Sequence, residues 1–238
     1  MTLDSGRGDP AGTAGKLLKV DDLARLEAND LALRSSGLLW MAGGQVEATN
    51  SVLLDGGANN NDARTGVGLF IDAGGAPTLA AGGTLTGTAE ASILLREQLS
   101  AQSVSLSSTA GHISIGDGDE DGDVLTGAGQ ISAVDAITLQ ADGQVNFLGG
   151  ADLQTSGSNS EIIVRSANNL LIDSLAILTA DDGLVHLIGD AVTINGEVQA
   201  NGANARALVN TASQIVLNGQ ITSAANIDLR AGIDLSAA

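Results

Sequence analysis

Between Ala136 and Ala238 one short phrase recurs, and it restricts what the chain can become more than any other feature. Each copy is a few residues of alternating apolar character, a small turn, then a second alternating run. The first runs are Ile137-Thr138-Leu139, Ile162-Ile163-Val164, Val185-His186-Leu187, Leu208-Val209 and Ile227-Asp228-Leu229. The second runs are Val145-Asn146-Phe147, Leu170-Leu171-Ile172, Val192-Thr193-Ile194, Ile215-Val216-Leu217 and Ile233-Asp234-Leu235. Copies follow one another at about 20 to 25 residues, the period of a solenoid that winds one coil at a time. Alternation with period two sends one set of side chains inward and the other outward. The phrase returns in the same sense, not as its mirror image. Parallel stacking of coil on coil is therefore expected, and hairpins throughout are not.

The β pattern extends upstream to Leu38, through Leu39-Trp40-Met41, Val46, Val52-Leu53-Leu54, Leu69-Phe70-Ile71, Leu79, Leu85, Ile93-Leu94-Leu95, Val104-Ser105-Leu106 and Ile113-Ser114-Ile115. Gly56-Gly57, Asn59-Asn60-Asn61, Gly74-Gly75 and Gly82-Gly83 punctuate it. Residues 16–28 carry two readings. Leu17, Val20, Leu23 and Leu26 are spaced for a short helix, whereas Ala28-Asn29-Asp30-Leu31-Ala32-Leu33-Arg34 repeats the style of Ala225-Asn226-Ile227-Asp228-Leu229-Arg230 and favours another coil. The expected organisation is an N-terminal loop and first irregular coil over 1–27, then a continuous coil stack over 28–238. Both chain ends fall mid-phrase without a polar cap of the kind solenoids use, so the sequence reads as an excerpt of a longer protein.

Two Asn-Gly turns support the register. Ile194-Asn195-Gly196 and Leu217-Asn218-Gly219 recur at equivalent positions, and Asn and Gly tolerate the left-handed backbone of tight turns. Stacked coils place Asn195 over Asn218 at about 4.8 Å, close enough for an amide ladder, and about eight coils make a rod of roughly 40 Å.

Composition narrows function. Trp40, Phe70 and Phe147 are the only aromatics, so aliphatic side chains must fill the interior. The net charge of −18 argues against nucleic acid, whose binding runs on phosphate neutralisation by Lys and Arg. It argues equally against an anionic membrane surface. With no cysteine, a disulfide scaffold and thiolate metal sites are excluded. No apolar run reaches the ~20 residues of a membrane-spanning helix, and the first residues lack the charge and apolar pattern of a signal peptide.

One stretch interrupts the repeat at 116–127: Gly116-Asp117-Gly118-Asp119-Glu120-Asp121-Gly122-Asp123, then Val124-Leu125-Thr126-Gly127. Asp117, Asp119 and Asp121 before Gly122 match the opening of an oxygen-ligand calcium loop, with Asp123 next. Alternating aspartates in a Gly-rich turn can bring several hard oxygens to one point. The twelfth position is Ala128 and not the closing Glu, so an acidic solvated loop is the competing reading. Arg7-Gly8-Asp9 is a short match of the kind that chance supplies. His112 and His186 have no partner at metal-ligand spacing, and His186 is expected to face solvent. Neither a nucleophile elbow nor a phosphate-binding glycine pattern is present, so no catalytic set is assigned and enzymatic activity is not expected.

The phrases Asn226-Ile227-Asp228-Leu229-Arg230-Ala231-Gly232-Ile233-Asp234-Leu235-Ser236-Ala237 and Val192-Thr193-Ile194-Asn195-Gly196-Glu197-Val198-Gln199-Ala200 resemble the repeats of filamentous haemagglutinin-type exoproteins, giant bacterial adhesins exported by two-partner secretion. The resemblance covers the chain from about residue 28 and implies a right-handed parallel β-helix. The family's Asn-Pro-Asn-Gly secretion signature and the Gly-rich calcium nonapeptide of toxin repeats are both missing. What the likeness implies is a shaft segment of a secreted or surface-anchored adhesin or biofilm matrix protein, its partners being neighbouring coils and a surface glycan or protein. A glycan-, mineral- or protein-binding module is the alternative, and a polysaccharide-degrading enzyme a further one.

Overall fold

A computed structural model of the chain describes residues 1–5, 17–21, 23–58, 66–72, 78–116 and 129–235. The described residues form strands joined by tight turns. All strand pairings are parallel, and together they make one β-solenoid. The predicted stacking is therefore observed. Successive equivalent strands rise about 4.8 Å per step, so the stack is roughly 40 Å long.

Each coil has three faces. On the first face the inward column runs Leu31, Val52, Leu85, Val104, Ile137, Ile162, Val185, Ala207 and Ile227. On the second it runs Leu18, Leu39, Leu69, Ile93, Ile113, Val145, Leu170, Val192 and Ile215. On the third it runs Leu26, Val46, Leu79, Leu99, Ile131, Leu153, Leu178, Val198 and Ile221. The two runs of the repeated phrase are the first and second faces. The third face is an additional strand in every coil. In the coil of Leu208-Val209 the inward pair is Ala207 and Val209, and Leu208 points out.

The interior is one continuous aliphatic cluster, with Phe147 its single aromatic member. Burial of each such Val, Ile or Leu contributes about 1.5–3 kcal/mol, which makes the columns the main source of cohesion. Backbone hydrogen bonds run along the axis, so each coil templates the next.

Corners are closed by small side chains. At the end of the first face, Ser5 stacks on Ser35, Gly56 on Ala89, Ala89 on Ser108, Ser108 on Ala141 and Ala141 on Ser166. Buried Ser108 donates through Oγ to Ala91 O at 2.8 Å and accepts the Gly111 N–H at 3.0 Å. Ser166 Oγ lies 2.9 Å from Gly143 O and 3.0 Å from Asn169 O. The tight turn leaves peptide groups pointing inward, and these hydroxyls satisfy them. Gly56 has no such option, since a Cβ there would stand 2.0 Å from Gly68 O.

The stack begins earlier than residue 28. Thr2–Ser5 pairs with Ala32 to Ser35, Leu18–Val20 pairs with Leu39 to Met41, and Arg25–Ser35 crosses the expected boundary as one strand. Between the two readings of residues 16–28, the described part forms coil and not helix. Register also survives the acidic interruption, because Val104 pairs with Ile137 although the chain between Gly116 and Gly129 intervenes. Val52 pairs with Leu85 across an equally long excursion, one that the repeat spacing of the C-terminal half does not announce.

Candidate functional site on the outer surface

The interior is packed with aliphatic side chains, so candidate chemistry sits outside. Asp117, Asp119, Asp121 and Asp123, like Arg7-Gly8-Asp9, lie outside the described residues. Among the described residues no group of His, Asp or Glu is clustered to hold a metal ion. Asn195 and Asn218 occupy consecutive coils at the corner between the second and third faces. Asn218 Nδ2 donates to Asn195 Oδ1 at 2.9 Å. Their backbones are tied the same way, Asn195 N–H to Ile172 O and Asn218 N–H to Ile194 O, both at 2.8 Å.

The second face carries a cluster of its own on its outer side: Leu38, Val67 and Phe70, with Trp40 and Leu94 packed against them. Trp40 and Phe70 are neighbours in the outward column, their ring centroids 6.1 Å apart and tilted by 30°. Lys19 Nζ stands 4.6 Å from the Trp40 centroid, and the Arg96 guanidinium carbon 5.6 Å from that of Phe70. The ring quadrupoles attract both cations. Two of the three aromatics therefore brace the outside of the rod, and Phe70 is fully buried there.

Beside this cluster is a groove of about 530 Å³. It exists because the corner at Glu90-Ala91 turns in two residues, whereas the next coil uses four, Thr109 to His112. Val67 and Leu94 supply apolar lining, and Glu90, Ser92, His112 and Ser114 supply polar groups. Gln144 N–H donates to His112 Nδ1 at 2.7 Å, and Ser92 Oγ accepts the His112 N–H at 3.0 Å. With Nδ1 engaged, the neutral imidazole keeps its proton on Nε2 and offers a donor, while Glu90 offers an acceptor. A concave site with apolar walls and a few convergent polar groups is the usual form of a small-ligand pocket. Sequence reading did not find it, because its residues belong to three coils.

His186 points outward on the first face, half-buried between Ile163 and Leu208 in the same column. Loss of water around the ring, with the charges of Arg165 and Arg206, holds its pKa below the ordinary histidine value. Asn210 Nδ2 lies 3.0 Å from His186 Nε2. An amide N–H only donates, so this bond needs the unprotonated nitrogen. Two carboxyls shift upward. Asp152, between Gln130 and Ile177 on the third face, does so through desolvation. Glu97 does so through desolvation, with Asp72 adding repulsion. Exposed Asp30 shifts down because Ser51 and Asn50 donate to it.

No known protein family, curated protein or solved structure matches this chain.

Proposed function

We propose that the chain is a rigid spacer: a length of shaft from a secreted or surface-anchored bacterial adhesin or biofilm matrix protein. The observation that carries this is the set of three inward columns, in register from the first coil to the last. Such a stack resists bending because each strand is bonded to the coil before and the coil after it. The acidic surface keeps neighbouring rods apart in solution. The adhesin assignment rests on the resemblance of the repeat phrases and awaits its own test.

Single-molecule pulling on the 238-residue chain addresses the spacer role. A shaft holds its length under load and then releases coils in steps; smooth extension at low force would remove the reading. Surface fractionation of the source cells, with an antibody to the coil stack, addresses localisation, and a purely intracellular pool would end the adhesin proposal.

The groove at Glu90 and His112 favours a second reading, a ligand-binding module. Its apolar walls and its few polar groups, the Glu90 carboxylate and the His112 ring among them, suit a hydroxyl-rich ring such as a sugar. A glycan array tests this, with Glu90→Ala and His112→Ala expected to abolish any binding seen. Calcium at Asp117, Asp119, Asp121 and Asp123 is a further proposal. Calorimetry with calcium and with chelator checks it, an unchanged Tm counting against it.

A further inference from the structure

The sequence contains three Asn-Gly pairs, Asn195-Gly196, Asn201-Gly202 and Asn218-Gly219. In such a pair the glycine amide nitrogen can lose its proton and attack Asn Cγ. A C–N bond forms, the Cγ–Nδ2 bond breaks, and ammonia leaves with the proton. Water then opens the succinimide at either carbonyl, leaving aspartate or isoaspartate. Glycine favours the closure because no Cβ shields the attacking nitrogen. By sequence the three pairs are alike, and the fold separates them.

Attack requires the glycine N–H to be released from its acceptor and the asparagine side chain to swing over it. At two pairs both requirements are opposed. Gly219 N–H is bonded to Ile194 O at 2.8 Å and Gly196 N–H to Ile172 O at 3.3 Å. The two side chains are held to each other, Asn218 Nδ2 on Asn195 Oδ1. Both glycines are pressed onto the preceding coil: a Cβ on Gly219 would stand 2.1 Å from Gly196 O, and one on Gly196 would stand 2.3 Å from Ala176 O. Ring closure there requires local opening of the stack.

Asn201 differs in its side chain and in the attacking amide, although Gly202 lies as close to the coil below as the other two glycines do. Its own N–H is bonded to Ala180 O at 2.8 Å, which anchors the residue, but its side chain is exposed and outside any ladder. Gly202 leaves the strand pattern with φ of +93°. Among the described residues its N–H has no backbone acceptor, although Ala205 N–H reaches back to Gly202 O at 3.2 Å. The neighbour of Gly202 on the coil below is the Asp182 carboxylate, whose Oδ1 would lie 2.1 Å from an added Cβ.

We propose that Asn201 is the deamidation site of the folded chain, and that coil-to-coil hydrogen bonds protect Asn195 and Asn218 from the same reaction. Modification at 201 adds a carboxylate at an exposed corner, next in sequence to Gly202, without touching an inward column. The protected pair lies where conversion would cut a ladder.

The test is peptide mapping by mass spectrometry after incubation of the intact chain at mildly alkaline pH, native and in concentrated urea. In urea the three sites should react at similar rates. In the native protein Asn201 should react at least about tenfold faster than Asn195 or Asn218, since protected amides react only through local opening. Equal native rates at the three sites, or no native reaction at Asn201, would overturn the proposal. Asn201→Gln serves as control and should remove the fast phase of native ammonia release.

Discussion

Ser108 satisfies two peptide groups with one hydroxyl. Ser108→Ala should therefore lower unfolding free energy by about 1–3 kcal/mol, the usual consequence of stranding buried polar groups, read from urea denaturation. His186 sets a pH dependence. Its folded pKa lies below the unfolded value of 6.5, so at intermediate pH the unfolded chain binds the proton first. The stability from the neutral ring is complete above pH 6.5 and is lost as pH falls through the folded pKa. His186→Gln should flatten the fall of Tm in that window and leave neutral-pH behaviour nearly unchanged. An unaltered Tm profile would show that carboxylates alone control the acid limb.

At the scale of the element, the three-residue strand Val145–Phe147 is too short to persist alone and is held by Ile113–Ile115 on one side and Leu170–Ile172 on the other. Phe147 fills that layer and is inaccessible to solvent. Phe147→Ala should destabilise by about 3–5 kcal/mol, because a tube closed on three sides cannot collapse onto the cavity. Equilibrium unfolding measures this, and a loss below 1 kcal/mol would mean that the rung is looser than its packing indicates. The first and second faces were legible as alternating runs because each presents two bulky inward residues in most coils, Leu85 with Gly87 and Ala207 with Val209 being exceptions on the first. On the third face Val46 and Leu79 stand out in the sequence as short strands, but the face is not legible in every coil. Its rungs pair one bulky residue with a small one, as in Ile131 with Ala133, Leu178 with Ala180 and Val198 with Ala200. A single Leu, Val or Ile followed two residues later by Ala gives little periodic signal. The corner serines escaped notice for a similar reason: Ser is common, and only a tight turn makes it necessary.

For the molecule as a whole, nearest-neighbour construction makes coils exchangeable. Val185 stacks under Ala207 and over Ile162. Deleting residues 185–206 joins Leu184 to Ala207 in register, because Leu184 already pairs with Arg206. The shortened chain should keep its β circular dichroism and lose about 4.8 Å of length by small-angle scattering. Deleting 185–195 leaves half a coil and should unfold the adjoining rungs. A cooperative fold of both variants, or of neither, would contradict the stacked-coil description.

The sequence alone determined that this chain is a parallel solenoid, because inward alternation repeated in one sense leaves few other ways to bury its aliphatic residues. It also determined that Asn195 and Asn218 share a position, since both end the same phrase. Only the tertiary structure decided the third face, the outward placement of Trp40 and Phe70, the groove between Glu90 and His112, and the difference between Asn201 and the other Asn-Gly pairs. Each of these depends on how residues from separate coils meet. A one-dimensional period says which residues recur, and the corner geometry says which of them touch.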